Sequence, residues 1–267
     1  MRVHHLNCAT MCPAGGLVAP LVCHCLAIET EAGVVLVDTG LGMHDLAAPR
    51  QRLGRGFLFM TGPRLIAAET ARAQLAELGI AASDVRHIVI THLDPDHAGG
   101  LADFPEAAVH IGAGELAAAL SPPTRSERQR YRATQWSHGP RWAPHDAGGE
   151  PWHGFDGVRA LAGLPPELLL VPLYGHTRGH HGVAVRSADG WLLHAGDAYY
   201  YQGELAPVPR CPPHLRLTQW IFETDRQARL GNQARLRALA ADPAASVQIF
   251  CAHDRHELGR YQATPAR

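Results

Sequence analysis

Four times along this chain a short apolar run breaks into a polar segment rich in histidine and aspartate. "VRHIVI" leads into "THLDPDHAGG", "LLLVPLY" into "GHTRGH", "WLL" into "HAGDAYY", and "VQIF" into "CAHD". Runs this short and rich in Val, Ile and Leu read as buried strands, and the polar segments as loops at their ends. Loops gathered on one edge of a sheet are where chemistry usually sits. The chain therefore reads as a sheet protein that places acids and imidazoles together at one edge.

The remaining elements fit that reading. "GVVLVDTG" is a strand running into a turn, "LVCHCLAI" a strand, and "AAVHIGAGELAAAL" a strand, turn and helix. "AAETARAQLAELG" reads as a helix burying Ala68, Ala71, Leu75 and Leu78, with Gly79 past its end. "ETDRQARLGNQARLRALAADP" reads as a second, with Leu236, Leu239 and Ala240 inward and a stop before Pro243. Each half runs from strands to a helix to a strand that delivers a polar loop. Two mixed sheets packed face to face with helices outside, an α/β sandwich, accommodate this in one domain over 1–267. Residues 121–155 change character, with five prolines, three tryptophans and clustered arginines. They read as a short helix inside a long irregular excursion, a lid or substrate wall.

Composition removes several functions. Of 267 residues 46% are hydrophobic, and Lys plus Arg is 24 against 25 for Asp plus Glu. A net charge of −1 leaves no electrostatic footprint for nucleic acid or an anionic membrane surface. No apolar run approaches the roughly 18 to 20 residues that span a bilayer. "MRVHHLNCATMCPAGG" has no basic segment leading into an apolar one, so a cytoplasmic location is expected. Six cysteines with no CxxC pair read as reduced thiols.

The loop "THLDPDHAGG" carries the sharpest information. Residues two apart on an extended segment point the same way, so His92 and Asp94 aim at one point. Asp96 and His97 are adjacent, diverge, and reach a second. Two first-row metals in a shared site lie roughly 3.5 to 4 Å apart. Imidazole and carboxylate are the expected ligands for zinc, iron or manganese.

With these loops and their order, the sequence resembles the metallo-β-lactamase fold superfamily from "LVDTG" to "CAHD". The resemblance implies an αββα sandwich with two divalent ions at one edge. One ion would take His92, Asp94 and His176; the other Asp96, His97 and His253; Asp197 would bridge them. His180 and Asp38 would hold the loops rather than the ions. The superfamily usually has His where this chain has Asp94. The two ions are expected to be zinc; a carboxylate at Asp94 adds charge, which should weaken Lewis acidity and favour harder metals relative to zinc, so Mn or Fe stand as alternatives, or it could cost the first ion altogether.

The loops look most like those of the N-acyl homoserine lactonase branch. There a "D-A-x-Y" segment carries a tyrosine that hydrogen-bonds the substrate carbonyl; "DAYY" puts Tyr200 in that place. The resemblance implies hydrolysis of a lactone or related carboxylic ester by a metal-bridged hydroxide. Asp96 would carry the proton, and Tyr200 would stabilise the developing oxyanion. Met11 and Cys12, in the loop "NCATMCPAGG", are candidates to overhang the pocket. Two alternatives stand beside this: an iron-containing redox protein of the same fold, and a binding module whose metal site Asp94 has weakened. The expected partner is a small ester or lactone, neither nucleic acid nor membrane, with a homodimer compatible with the sequence.

Overall fold

The computed structural model describes residues 1–262. Thirteen strands among them form two sheets. They are β1 (Arg2–Met11), β2 (Leu21–Thr30), β3 (Gly33–Val37), β4 (Pro63–Arg64), β5 (Val85–Val89), β6 (Ala108–Gly112), β7 (Arg141–His145), β8 (Glu150–Trp152), β9 (Phe155–Ala160), β10 (Leu168–Pro172), β11 (His181–Ser187), β12 (Gly190–His194) and β13 (Val247–Phe250). One sheet has the order β4-β1-β2-β3-β5-β6-β7 and the other β13-β12-β11-β10-β9-β8. Both are mixed: β3, β5, β6 and β7 run parallel, as do β12 and β13, while β1–β2, β2–β3 and β9 to β12 pair antiparallel.

The two-residue period of the strands builds the layers. Leu26, Ile28, Val35 and Val37 face Leu168, Leu170, Val183 and Val185 across the space between the sheets. Their neighbours Cys25, Ala27 and Leu36 point the other way, where Leu75 and Ala118 from helices Ala71–Glu77 and Ala113–Leu120 cover them. On the far side Val171, Ala184 and Leu193 meet Leu236 and Leu239 of the helix Arg226–Ala240. Strands apolar on both faces thus lie inside an αββα sandwich.

Three details differ from the sequence reading. Helix Ala71–Glu77 starts only after the Thr70 cap, so Ala68 is exposed, and Leu78 is 45% exposed. Ala240 is also exposed, because its helix contacts the sheet along a stripe narrower than its apolar face. Residues 121–155 hold the short helix read from the sequence, Arg125–Arg130, but the rest is less irregular than expected, since it includes the edge strands β7 and β8. Trp136 and Trp142 pack into the helix-covered core of the first sheet, and Trp152 into that of the second. Pro144 is tolerated in β7 because that strand pairs on one side only.

All six cysteines are free. Among the described residues no helix is long and apolar enough to cross a membrane.

Candidate metal centre

The loops after β5, β10, β12 and β13 converge at one edge of the sandwich. Backbone hydrogen bonds tie them together there: His181 N to Thr91 O (3.0 Å), Ala252 N to Gly196 O (3.0 Å) and Asp38 N to Val89 O (3.0 Å). Gly179 closes the gap between loops, since a Cβ there would lie 2.1 Å from Glu115 N. The buried Glu115 carboxylate accepts from Leu93 N (3.0 Å), Gly179 N (3.2 Å) and the Tyr131 hydroxyl (3.1 Å). One side chain therefore pins the loops of His92 and His176 to each other.

The structure brings all seven expected residues together. His92, Asp94, His176 and Asp197 form one group whose ligand atoms lie within 4.8 Å of one another; His97, Asp197 and His253 form a second. Asp197 serves both. Its Oδ2 is 3.3 Å from His176 Nε2 and 3.9 Å from His92 Nε2, while its Oδ1 is 3.2 Å from His97 Nε2 and 3.1 Å from His253 Nε2. Asp96 Oδ2 lies 3.6 Å from His253 Nε2 and 3.8 Å from His97 Nε2. Four ligands on arms of about 2.0 to 2.1 Å stand about 3.3 Å apart at the corners of a tetrahedron. The spacing matches that requirement.

The outer nitrogens of His92, His97 and His253 are committed, whereas His176 Nδ1 is buried without a partner and its Nε2 faces Arg130 Nη2 at 2.6 Å. Asp38 accepts from Thr91 N (2.7 Å), Thr91 Oγ1 (2.8 Å) and His97 Nδ1 (2.7 Å). With its proton on Asp38, Thr91 Oγ1 accepts from His92 Nδ1 at 3.0 Å. His253 Nδ1 donates to Val22 O (2.8 Å). A carboxylate or carbonyl can only accept, so these rings carry their protons outside and turn the Nε2 lone pairs inward. His92 Nε2, His97 Nε2 and Asp197 Oδ1 are buried there without a hydrogen-bond partner. Orphaned acceptors at ligand spacing fit divalent ions. Burial alone would lower the His97 imidazole, yet Asp197 and Asp38 hold it well above the usual range, whereas burial keeps His92 and His176 below it.

His180 is not in either group. Its Nδ1 donates to Leu173 O (2.9 Å) and its Nε2 accepts from Asp197 N (2.9 Å), which fixes the shared carboxylate. Asp38 sits at φ 55° in the left-handed region and performs the same service for His97. Both match the sequence reading of loop-holding residues.

Two neighbours were not visible in the sequence. The Cys23 thiol lies within 4.8 Å of ligand atoms of Asp96 and His253. Arg130, from the helix Arg125–Arg130, grips Asp94 with Nε on Oδ1 (2.5 Å) and Nη2 on Oδ2 (2.7 Å). Burial would raise the Asp94 carboxyl, but Arg130 overrides it and holds the group well below the usual carboxylate range. No periodicity links residues 36 apart, so the pair emerges only when the chain is folded.

A cleft of about 480 Å³ opens over this edge. Asp94, Asp96, Asp197 and His253 line its floor; Met11, Leu21, Leu53, Phe57 and Met60 line an apolar wall. Met11 is thus where the sequence reading put it, but as the last residue of β1 rather than in a loop. Cys12 does not line the cleft, and its backbone N donates to Gly62 O (3.0 Å). The Tyr200 ring lies 5.1 Å from the His253 ring and lines the cleft. Burial, then Asp197 and Asp94, push its hydroxyl well above 10, so it stays protonated and can donate.

Comparison with known proteins agrees with this geometry. The sequence profile of the metallo-beta-lactamase superfamily matches residues 18–238. A probable metallo-hydrolase of Mycobacterium tuberculosis is 45% identical over 95% of this chain and 80% of its own length. An N-acyl homoserine lactonase of a Bacillus species is 32% identical over 72% of this chain and 69% of its own. In fold, a single-site mutant of Bacillus thuringiensis AiiA, solved with N-decanoyl-L-homoserine bound at its active site, superposes with a TM-score of 0.71. It is 20% identical and covers 97% of this chain and 95% of that one. Profile, relatives, sandwich and metal-binding edge agree: the chain belongs to the metallo-beta-lactamase superfamily.

Proposed function

We propose that this chain is a binuclear metal-dependent hydrolase that opens a lactone or cleaves a related carboxylic ester. The observation that carries the reading is Asp197, whose carboxylate lies between two His/Asp groups at the floor of one cleft, with Oδ2 toward His176, Oδ1 toward His97, and His253 Nε2 at 3.1 and 3.2 Å from the two oxygens. His92, Asp94 and His176 would hold one ion and Asp96, His97 and His253 the other, zinc being the metal this histidine-rich donor set suits best. When bound, such ions lower the pKa of water and polarise a carbonyl oxygen.

The chain's own side chains supply the rest. The apolar wall from Met11 to Met60 accepts an acyl group and excludes water from the reacting end. Tyr200, protonated and facing the cleft, donates to the oxygen on which negative charge develops. Burial raises the Asp96 carboxyl, against the pull of His97 and His253, which suits it to take a proton and return it to the leaving group. The lactonases among the relatives favour a lactone or ester over other hydrolysable bonds. Helix Arg125–Arg130 forms part of the substrate wall.

A panel of N-acyl homoserine lactones and simple aryl esters tests the proposal. Hydrolysis that is abolished by a chelator, and lost in His97→Ala, supports it. A substrate turned over equally well by His97→Ala would show the wrong site.

A further inference from the structure

The cleft carries charge of its own away from its buried floor. Four arginines line it, Arg55, Arg128, Arg130 and Arg132, and among the described lining residues the only acids are the floor aspartates Asp94, Asp96 and Asp197. Two of the four cations are committed. Arg130 is bound to Asp94 and His176, while Arg132 donates through Nη2 to Gln51 O (3.0 Å) and through Nε to Arg52 O (3.4 Å). Arg55 and Arg128 are exposed and meet no carboxylate or carbonyl among the described residues.

The fold brings these two spare cations to one opening. Arg55 begins the helix Arg55–Thr61, which also supplies Phe57 and Met60 to the apolar wall. Arg128 comes from the helix Arg125–Arg130. The two segments touch where Gly54 meets Arg132: a Cβ at Gly54 would lie 3.2 Å from the guanidinium carbon, and its φ of 83° is in the region that favours glycine. One cleft thus offers an acidic floor, an apolar wall and a rim with two unpaired guanidiniums.

We propose that Arg55 and Arg128 recognise a carboxylate at the far end of the substrate, so that the preferred ester or lactone is one whose apolar chain ends in a free carboxylate. The inference rests on the hydrolase reading and names its substrate class. A guanidinium presents paired, planar N–H donors that match a carboxylate, and it stays charged at any working pH. Neither arginine has an internal bond to give up, so pairing costs them only hydration and side-chain freedom. The chain as a whole carries a charge of −1, so the attraction is local to the rim and not a general field.

The experiment compares kcat/KM for the nitrophenyl monoesters of succinate, adipate and suberate with those of butyrate, hexanoate and octanoate. The proteins are metal-loaded wild type, Arg55→Gln, Arg128→Gln, the double variant, and Arg125→Gln, whose side chain stands on the same helix but does not line the cleft. Calorimetric binding of the free diacids against the matched monoacids reads the same preference without turnover. Two partly exposed pairs together should favour at least one dicarboxylate monoester over its neutral partner by about tenfold at low salt. Each single variant should lose part of that preference and the double variant all of it, while Arg125→Gln keeps it; salt near 1 M should erase it. Equal values for every matched pair in wild type overturn the proposal, as does a preference that survives in the double variant or falls as far in Arg125→Gln. If wild type hydrolyses no ester or lactone at all, the hydrolase reading fails, and calorimetry decides the rim separately: a diacid bound no tighter than its monoacid, or equally well by the double variant, overturns the proposal.

Discussion

Asp38→Asn separates the charge behind the site from its shape. The substitution keeps the side chain's size, and asparagine tolerates the φ of 55° that most residues resist. Oδ1 can still accept from Thr91 N at 2.7 Å. The second oxygen, which faces His97 Nδ1 at 2.7 Å and Thr91 Oγ1 at 2.8 Å, becomes an NH2. Two donors now meet, so His97 must move its proton to Nε2, the atom turned toward the metal position. Losing a buried charge-assisted hydrogen bond costs about 2 kcal/mol, which urea unfolding of the metal-free protein would read. Metal affinity should fall about 10- to 100-fold, as for other changes behind metal-binding histidines. Competition with a chromogenic chelator measures that fall. Wild-type affinity in an Asp38→Asn protein that folds normally would refute the idea that Asp38 sets the His97 tautomer.

Three further predictions rest on separate observations. Tyr200→Phe should lower kcat for a lactone by about tenfold to a hundredfold with metal content unchanged, because it removes only a donor to the developing oxyanion; steady-state kinetics beside elemental analysis checks this. Gly179→Ala should destabilise the protein by about 3 kcal/mol or more and cost metal, since the new Cβ meets backbone atoms of Glu115 at 2.1 and 2.6 Å; thermal unfolding and metal content both report it. Burial, with Asp254 nearby, pushes Glu257 up to about 7 from 4.5. The unfolded chain therefore releases this proton first, and stability falls by about 3 kcal/mol as pH rises from 4.5 through 7. Glu257→Gln should remove that slope, matching wild type near pH 5 and exceeding it at pH 8 in urea titrations.

Much of the fold and site was legible because two short-range signals carry them. Alternation in runs such as "GVVLV" and "LLLVP" reveals strands, and the loops after them carry metal-ligand residue types in one order. His92 and Asp94, two residues apart, could be aimed at one point from sequence alone. What escaped depends on long-range packing. Ala68, Leu78 and Ala240 sit at helical spacing, but where a helix begins and how wide a stripe the sheet covers are tertiary facts. Strands β7 and β8 hid among prolines and arginines because each is a sheet edge, where ladder-breaking residues do little harm. Arg130 looked like one of many arginines in a surface helix, since its partner Asp94 lies in a different loop.

Two ions at the floor of one cleft should set the rate of hydrolysis. Metal-free protein should be titrated with zinc while hydrolysis of an N-acyl homoserine lactone is followed. The binuclear reading predicts no hydrolysis without metal, a rise with added zinc, and a break at about two equivalents per chain. Full hydrolysis by protein stripped of metal would contradict it.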